Sequence, residues 1–597
     1  MAGRSRVPLV VAVVVGVVAI LGVRGLVTGD DEGTTATPVA DDGCVVLQVA
    51  ASSEKAALLR DLAAQYAEDD GEAGGSCARV EVTSKASGGA MEALARGWDD
   101  AVDGPRPHVW SPASSSWTVL LRQRTTSQDV PDLVPEGDLP SIAQTPLVIA
   151  MPRPMAETLG WPDQPLGWSD VLALSREPEG WATRGKPWGA FKLGKTHPGF
   201  STSGLHATVG AYFAATGLSS DLSAGDLEDP AVREYVKGVE GAVVHYGDTT
   251  LTFLSNLQKA DAAGQGLSYV SAVTVEEKSV WDYNQGNPTG DPQTLGDAPP
   301  PRTPLVAVYP REGTLVSDNP YVVLQADWVG DAERAVADDF LAYVQSGDAQ
   351  RRFAEAGFRG FDGSTGPLIT PENGLLPQQP STTLDPPSPP VLAQVQASWE
   401  QLRKRARMLL VLDVSGSMGE LTSGGESKLD VAKRAAREAV SRVAPDDEIS
   451  LWVFSTDLDG NRPYRELVPF GPAGQRLPEV QSSIEALIPE GGTGLYATTR
   501  AAARSVEGSF DPSRINAVVV LTDGKNEYPP DSDLESLVRE LGSEDADRQV
   551  RVFPIAYGDD ADLGELTRIA EASRAAVYDA SDPASIDKVL TAVLSNF

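Results

Sequence analysis

Residues 408–412 read Met-Leu-Leu-Val-Leu, and the run ends abruptly in Asp413, with Ser415 and Ser417 following at two-residue steps. An uninterrupted apolar stretch suits a central strand buried on both faces. The oxygen side chains then fall at the C-terminal end of that strand, where open α/β sheets place their ligand sites. One carboxylate and two hydroxyls, with no sulfur or imidazole nearby, form a hard-cation site suited to Mg²⁺ or Mn²⁺ rather than zinc. From Met408 to the C-terminus apolar and amphipathic segments alternate. Strands are predicted at 408–413, 449–454, 517–521, 550–556 and 575–578. Helices are predicted at 428–443, 480–488, 495–506, 533–541, 563–572 and 583–594. About 190 residues of this pattern make one doubly wound α/β domain.

The whole chain has 597 residues, too many for one core, so roughly three to four globular units are expected. A formal charge of −35 argues against nucleic acid as a partner, because phosphate binding needs a basic surface. The two cysteines, Cys44 and Cys77, fall in the same early region. A disulfide between them fits an oxidising, extracytoplasmic compartment, the alternative being two unpaired buried thiols. Residues 7–23 are apolar without interruption, preceded by Arg4 and Arg6 and followed by Asp30, Asp31 and Glu32. If Arg24 snorkels, residues 7–27 form a helix of about 30 Å, enough to cross a bilayer. The positive flank then leaves residues 1–6 in the cytoplasm and the bulk of the chain outside the cell. A cleaved signal peptide is the alternative, but no small-x-small cleavage site directly follows the apolar run. A single-pass anchor in the cell membrane is therefore expected, with an acidic tether over 28–43.

A second alternating region begins at Cys44. Predicted strands at 45–50, 78–83 and 108–110 alternate with helices at 53–68, 88–98 and 114–123, which implies a parallel sheet. A new set of elements opens with the apolar strand 146–151. It continues through strand-like stretches at 186–193, 267–273 and 305–309 and helices at 203–216, 251–263, 331–345 and 348–356. In order and spacing, "VAASSEKAALLRDLA" (49–63), "ASGG" (86–89), "HVWSPASSSW" (108–117), "PLVIAMPR" (146–153), "PLGWSDVLAL" (165–174) and "GKTHPGFSTSG" (194–204) make residues 44–362 resemble an extracellular solute-binding protein of the two-lobed, type II periplasmic kind. That resemblance implies two α/β lobes and a hinge, lobe one from about 44–135 and 305–362 and lobe two from about 140–300. The family's cleft is made by helix N-termini and hydroxyls, which suits small polar or anionic solutes. It carries over to Ser52 or Ser53, Ser87, and Ser201 or Ser203, each at a loop–helix junction. The plainer reading of these serines is helix capping.

Residues 363–390, rich in proline, read as an extended linker or a meandering wrap. Residues 391–407 read as an amphipathic lead-in helix with a basic end at Arg403, Lys404, Arg405 and Arg407. The closing domain, 408–597, is similar to a von Willebrand factor type A domain with a Rossmann-like sheet. Asp413-Val-Ser415-Gly-Ser417 matches that family's metal-ion-dependent adhesion motif, "GGTGLYAT" supplies Thr493, and "VVVLTDG" supplies Asp523. The resemblance implies that Ser415, Ser417 and Thr493 touch the metal and that Asp413 and Asp523 act largely through water. Few anionic ligands leave the cation electrophilic, with a position open to an Asp or Glu carboxylate from a protein partner.

No enzyme chemistry is expected. Ser415-Gly-Ser417-Met-Gly419 nears a nucleophile elbow, but a Ser stands where the first Gly belongs. The histidines, His108, His197, His206 and His245, all precede the type A region, so a serine hydrolase there would lack its base. His197 and His206 could be imagined as a metal pair, but no Cys or matching carboxylate spacing supports it, and they read as isolated surface or capping residues. No Gly-rich phosphate loop with a following Lys-Ser/Thr is present. The expected function is a membrane-anchored extracellular binding protein. A transport-system receptor with an accessory type A domain, and an envelope assembly scaffold with a structural metal, are the rivals.

Overall fold

The computed structural model describes residues 43–597 apart from 70, 129–130, 461 and 543–546. The expected membrane anchor, 7–27, lies outside the described residues, as does the tether up to residue 42. No helix among the described residues is long and apolar enough to cross a membrane.

Strands occur in chain order as β1 Val45–Ala51, β2 Glu72–Ala73, β3 Ser76–Ser84, β4 Val109–Ser111, β5 Thr145–Pro152, β6 Leu193–Thr196, β7 Val243–Gly247, β8 Ala272–Glu276, β9 Leu305–Val308, β10 Val316–Ser317 and β11 Val322–Val323. The C-terminal module adds β12 Arg405–Asp413, β13 Glu448–Asp459, β14 Arg462–Pro472, β15 Arg514–Thr522, β16 Arg551–Tyr557 and β17 Tyr578–Ala580.

Lobe one is a sheet of order β11-β4-β1-β3-β2. Its centre, β1, runs parallel to β3 and β4, Val45 opposite Ala78 and Val49 opposite Val109. The helix Ser53–Glu68 follows β1. Its Ala56, Leu59, Ala63 and Tyr66 recur every three or four residues, one face of a helix. They pack with Val336, Phe340 and Val344 of the helix Asp331–Val344. Burying each leucine here stabilises by roughly 2 kcal/mol. A Cys44–Cys77 disulfide ties the start of β1 to β3.

Lobe two has the order β10-β5-β8-β6-β7, with β9 also on β5. Every residue of β5 is buried, which accounts for its unbroken apolar sequence. The lobe boundary differs from the sequence expectation. The sequence places residues 305–362 in lobe one, but β9 pairs with β5 from Pro152 opposite Leu305 to Ile149 opposite Val308, and β10 pairs with Thr145 and Pro146. The return to lobe one therefore falls near residue 318. There the chain bridges Ser141 to Pro320, and Gln144 bridges Arg359, so several crossings lie side by side as a hinge.

Residues 363–388 do not span open space as an extended linker. Ile369 and Leu375 are buried in the core of lobe two. Thr314 N donates to Thr382 O at 3.1 Å, and Leu384 N to Thr314 O at 2.8 Å. Proline lacks an N–H, and the segment spends the donors it does have along the edge of lobe two. The following helix is Pro389–Leu402, with prolines in its first turn. Its Val391, Leu392, Val395, Trp399 and Leu402 are buried against the lobe-one helix Ser116–Gln128 and the lobe-two helices Thr202–Thr216 and Pro230–Gly241. It stops short of the expected 407, because Arg405 already pairs with Arg514 as the first residue of β12.

The C-terminal module has the order β14-β13-β12-β15-β16-β17, with β12 in the middle. All its pairings are parallel except β13 with β14. The sequence reading missed β14, an edge hairpin strand whose Arg465 and Glu466 are exposed and which lacks a continuous apolar run. The N-terminal ends of these strands dock on lobe two. Arg403, at the C-terminal end of the Pro389–Leu402 helix, pairs with Asp447 and donates to Phe597 O at 2.9 Å, which ties that helix to the module. Tyr246 N donates to Asn596 O at 3.0 Å, and Lys192 pairs with Asp547 at 2.7 Å.

Candidate functional sites

At the other end of the C-terminal sheet, three loops converge. Asp413 closes β12 with 0% exposure. Its Oδ1 accepts from Ser415 N at 2.8 Å and its Oδ2 from Thr522 Oγ1, on neighbouring β15, at 2.6 Å. Both oxygens are thereby fixed in direction. Ser415 Oγ lies 3.0 Å from Ser417 Oγ, which donates to Asp523 Oδ1 at 2.7 Å. Gly416 N donates to Gly491 O at 2.9 Å, tying the first loop to the one that carries Thr493. A Cβ on Gly524 would stand 3.1 Å from Thr493 Oγ1, a tight contact that a side chain there would relieve only by pushing the two loops slightly apart. The structure thus brings together all five predicted residues, Asp413, Ser415, Ser417, Thr493 and Asp523. Four are buried and Ser417 is half-buried, which leaves a narrow opening to solvent.

Burial, and after it the charge of Asp523, pushes the Asp413 carboxyl up to about 7. Lys428, at the start of the helix Lys428–Ser441, contacts Asp523 Oδ2 at 3.1 Å and Glu420 at 2.9 Å. Sequence reasoning found neither Lys428 nor Thr522 as part of this site. Thr522 is adjacent to Asp523 in the motif, but nothing in the sequence points Lys428 at it. Two buried carboxylates flanked by the hydroxyls of Ser415, Ser417 and Thr522, with the Lys428 ammonium on Asp523 alone of the two, fit a small hard cation held by oxygen. Among the described residues no three His, Cys, Asp or Glu side chains cluster to hold an ion on their own.

The second site lies between the lobes. Ser52 and Ser53 start the helix Ser53–Glu68, Ser87 opens Ser87–Ala95, and Ser201 and Ser203 flank the start of Thr202–Thr216. The loops meet across the cleft. Gly88 N of lobe one donates to Phe200 O of lobe two at 3.0 Å, and Trp117 Nε1 donates to Thr202 Oγ1 at 2.8 Å. Neither Ser52 nor Ser201 caps its helix through the side chain, so the capping reading fails for both. Ser52 Oγ instead accepts from Lys55 Nζ at 2.8 Å, and Ser87 Oγ from Ala113 N at 3.0 Å. Ser53 is half-buried beside them. In lobe two Ser203 Oγ joins Thr196, Ser201 and Thr250 at 2.8, 3.1 and 2.9 Å. This hydroxyl chain ends at Glu276, which sequence reasoning missed: Thr250 Oγ1 lies 3.4 Å from Glu276 Oε2. A single Glu closing the strand Ala-Val-Thr-Val-Glu carries no signal by itself.

Of the two histidines expected at the surface or in caps, His206 is buried and His197 is half-buried. His108, His206 and His245 are buried. His206 Nε2 lies 3.2 Å from Ser114 Oγ across the cleft, and His245 stacks on Phe253 with ring centroids 4.8 Å apart.

The model of the bacterial extracellular solute-binding protein family matches residues 47–359. The chain belongs to that family. Behind the solute-binding module, residues 408–592 match the von Willebrand factor type A domain. No curated protein matches the sequence. Among solved structures, a von Willebrand factor type A protein from Catenulispora acidiphila is 21% identical over 32% of this chain and 42% of its own, with a TM-score of 0.28. A periplasmic thiamin binding protein is 12% identical over 62% of this chain and 100% of its own, with a TM-score of 0.41. The periplasmic binding protein AfuA from Actinobacillus pleuropneumoniae, with fructose-6-phosphate bound, is 13% identical over 60% and 99%, with a TM-score of 0.39. The chain spans less than half the length of the first type A structures it matches.

Proposed function

We propose that this is an extracytoplasmic, non-enzymatic binding protein with two receptor sites on one chain. The type A domain engages a protein partner through its five-residue oxygen site, and the solute-binding module takes a small solute between its lobes. The observation that carries the first half is the pair of buried carboxylates, Asp413 and Asp523, connected through Ser415 and Ser417 at the C-terminal ends of the central strands, opposite the docked end. Asp413, Ser415, Ser417, Thr493 and Asp523 would hold Mg²⁺ or Mn²⁺. When bound, the cation supplies an electrophilic position for a partner's Asp or Glu carboxylate. The protein's own contribution is orientation: Thr522 and Ser415 N fix Asp413, and Lys428 limits the negative charge around Asp523. The Pro389–Leu402 helix touches helices of both lobes, which supports the idea that lobe closure biases the type A module.

The test is capture of partners from a solubilised envelope extract by the full chain, in Mg²⁺, in chelator, and as Asp413→Ala checked for folding by circular dichroism. A partner retained in Mg²⁺ and lost in the other two conditions is the expected result. Identical partners in all three would remove the metal from the contact. Retention of partners, with a fall of melting temperature on chelation alone, would favour the scaffold with a structural metal.

A further inference from the structure

Glu276 stands at the end of β8, 2% exposed. Among the described residues its Oε1 has no hydrogen-bond partner, and the same holds for the buried Ser279 Oγ and Ser317 Oγ. An unmatched buried polar atom costs about 1–3 kcal/mol, so three in one neighbourhood need a reason. All three residues belong to segments that meet at the hinge. β8 pairs Glu276 with Leu147, Lys278 N donates to Thr145 Oγ1 at 3.2 Å, and β10 pairs Ser317 with Thr145.

The charges around this point decide what could fill it. From lobe one, Glu54 acts on Glu276, and Lys55 feels Glu54, Asp318 and Glu276. Lys55 has no N–H to offer, because its ammonium already bonds Ser52 Oγ, Pro112 O and Asn319 Oδ1 at 2.8, 2.9 and 2.9 Å. Lys278 is matched by Asp282, and Arg359 by Glu277. Three carboxylates, Glu54, Asp318 and Glu276, therefore face one committed lysine. An anion entering here would meet acceptors and like charge. A group rich in N–H donors would meet what it needs.

On the reading that a solute binds between the lobes, we propose that this solute carries a primary ammonium group seated on the Glu276 carboxylate, with hydroxyls of the same wall accepting its other N–H bonds. The anionic solute that the helix N-termini suggested is thereby replaced by a cationic one. Burial, then the charge of Glu54, pushes the Glu276 carboxyl up to about 8. The attraction of a cation beside it opposes both effects and favours the ionised form, so binding near pH 7 should release a proton.

The test titrates the full chain calorimetrically with ethanolamine, 1,4-diaminobutane and lysine, and with 1,4-butanediol and succinate as neutral and anionic controls. The expected result is that at least one amine binds, with a heat that varies with buffer ionisation. Glu276→Gln should weaken that binding at least tenfold. Glu54→Gln, a milder change on a half-buried residue, should weaken it several-fold. Binding by none of the amines, or amine binding indifferent to both variants, overturns the proposal. Succinate or butanediol binding that Ser203→Ala abolishes and Glu276→Gln leaves intact overturns the ammonium while keeping the cleft as a solute site. If no probe binds and X-ray scattering shows no change in lobe separation with any of them, the cleft reading falls as well.

Discussion

Two buried imidazoles set a pH limit on this protein. Burial pushes His206 and His245 down to about 3 from their ordinary 6.5. The unfolded chain therefore takes up these protons first as pH falls. Their contribution to stability is complete above about pH 6.5 and is lost between there and about pH 3. Each histidine should cost about 1.4 kcal/mol per pH unit in that window. Urea unfolding at pH 7 and pH 5 should show the difference, and His206→Gln should make the loss on acidification shallower. An unchanged slope would mean that His206 is solvated in the folded chain. Residues of this sort were not legible beforehand. A histidine in the sequence says nothing of its burial, whereas Asp413, Ser415 and Ser417 were legible because their chemistry and their strand are adjacent in the chain.

At the scale of elements, local patterns were readable and pairings were not. The strand β12 and its motif follow from the ten consecutive residues 408–417. The lobe boundary depended on whether Leu305–Val308 pairs with β5 or with lobe one, and a short apolar run fits either sheet. β14 escaped because an edge strand needs only one partner and little apolar sequence. The proline-rich wrap was one of two open readings, since composition sets stiffness but not attachment. The contact of loop 86–89 with loop 197–203 invites a specific test. A Cβ on Gly88 would fall 2.1 Å from Gly199 O, an overlap with backbone that no rotamer relieves. Gly88→Ala should hold the lobes apart there. Hydrogen exchange should speed up in both loops, with β12 and its neighbours unaffected. Unchanged protection would show that the loop gives way at little cost.

At the scale of the whole molecule the docking of the type A domain on lobe two decides whether the modules act as one body. Arg403 ends the Pro389–Leu402 helix, which packs on both lobes, and forms a buried pair with Asp447 of the type A domain, the side chains 6% and 2% exposed. Arg403→Leu leaves the Asp447 carboxylate without its partner, a change expected to cost about 3–5 kcal/mol. Calorimetry should then resolve two unfolding transitions in place of a merged one; a single transition at the wild-type temperature would mean that other docking contacts suffice. That docking also defines a load path. β12 runs from the docking face to the oxygen site, while Cys44 and β1 lie in lobe one, on the far side of the hinge. Tension between the metal end of that sheet and lobe one is shared by the hinge and by the Pro389–Leu402 helix, which packs on both lobes. It pulls along the coordinate that parts Gly88 from Phe200 and Trp117 from Thr202. A stretched molecule would let go of its solute, and a molecule holding its solute would be the stiffer spring.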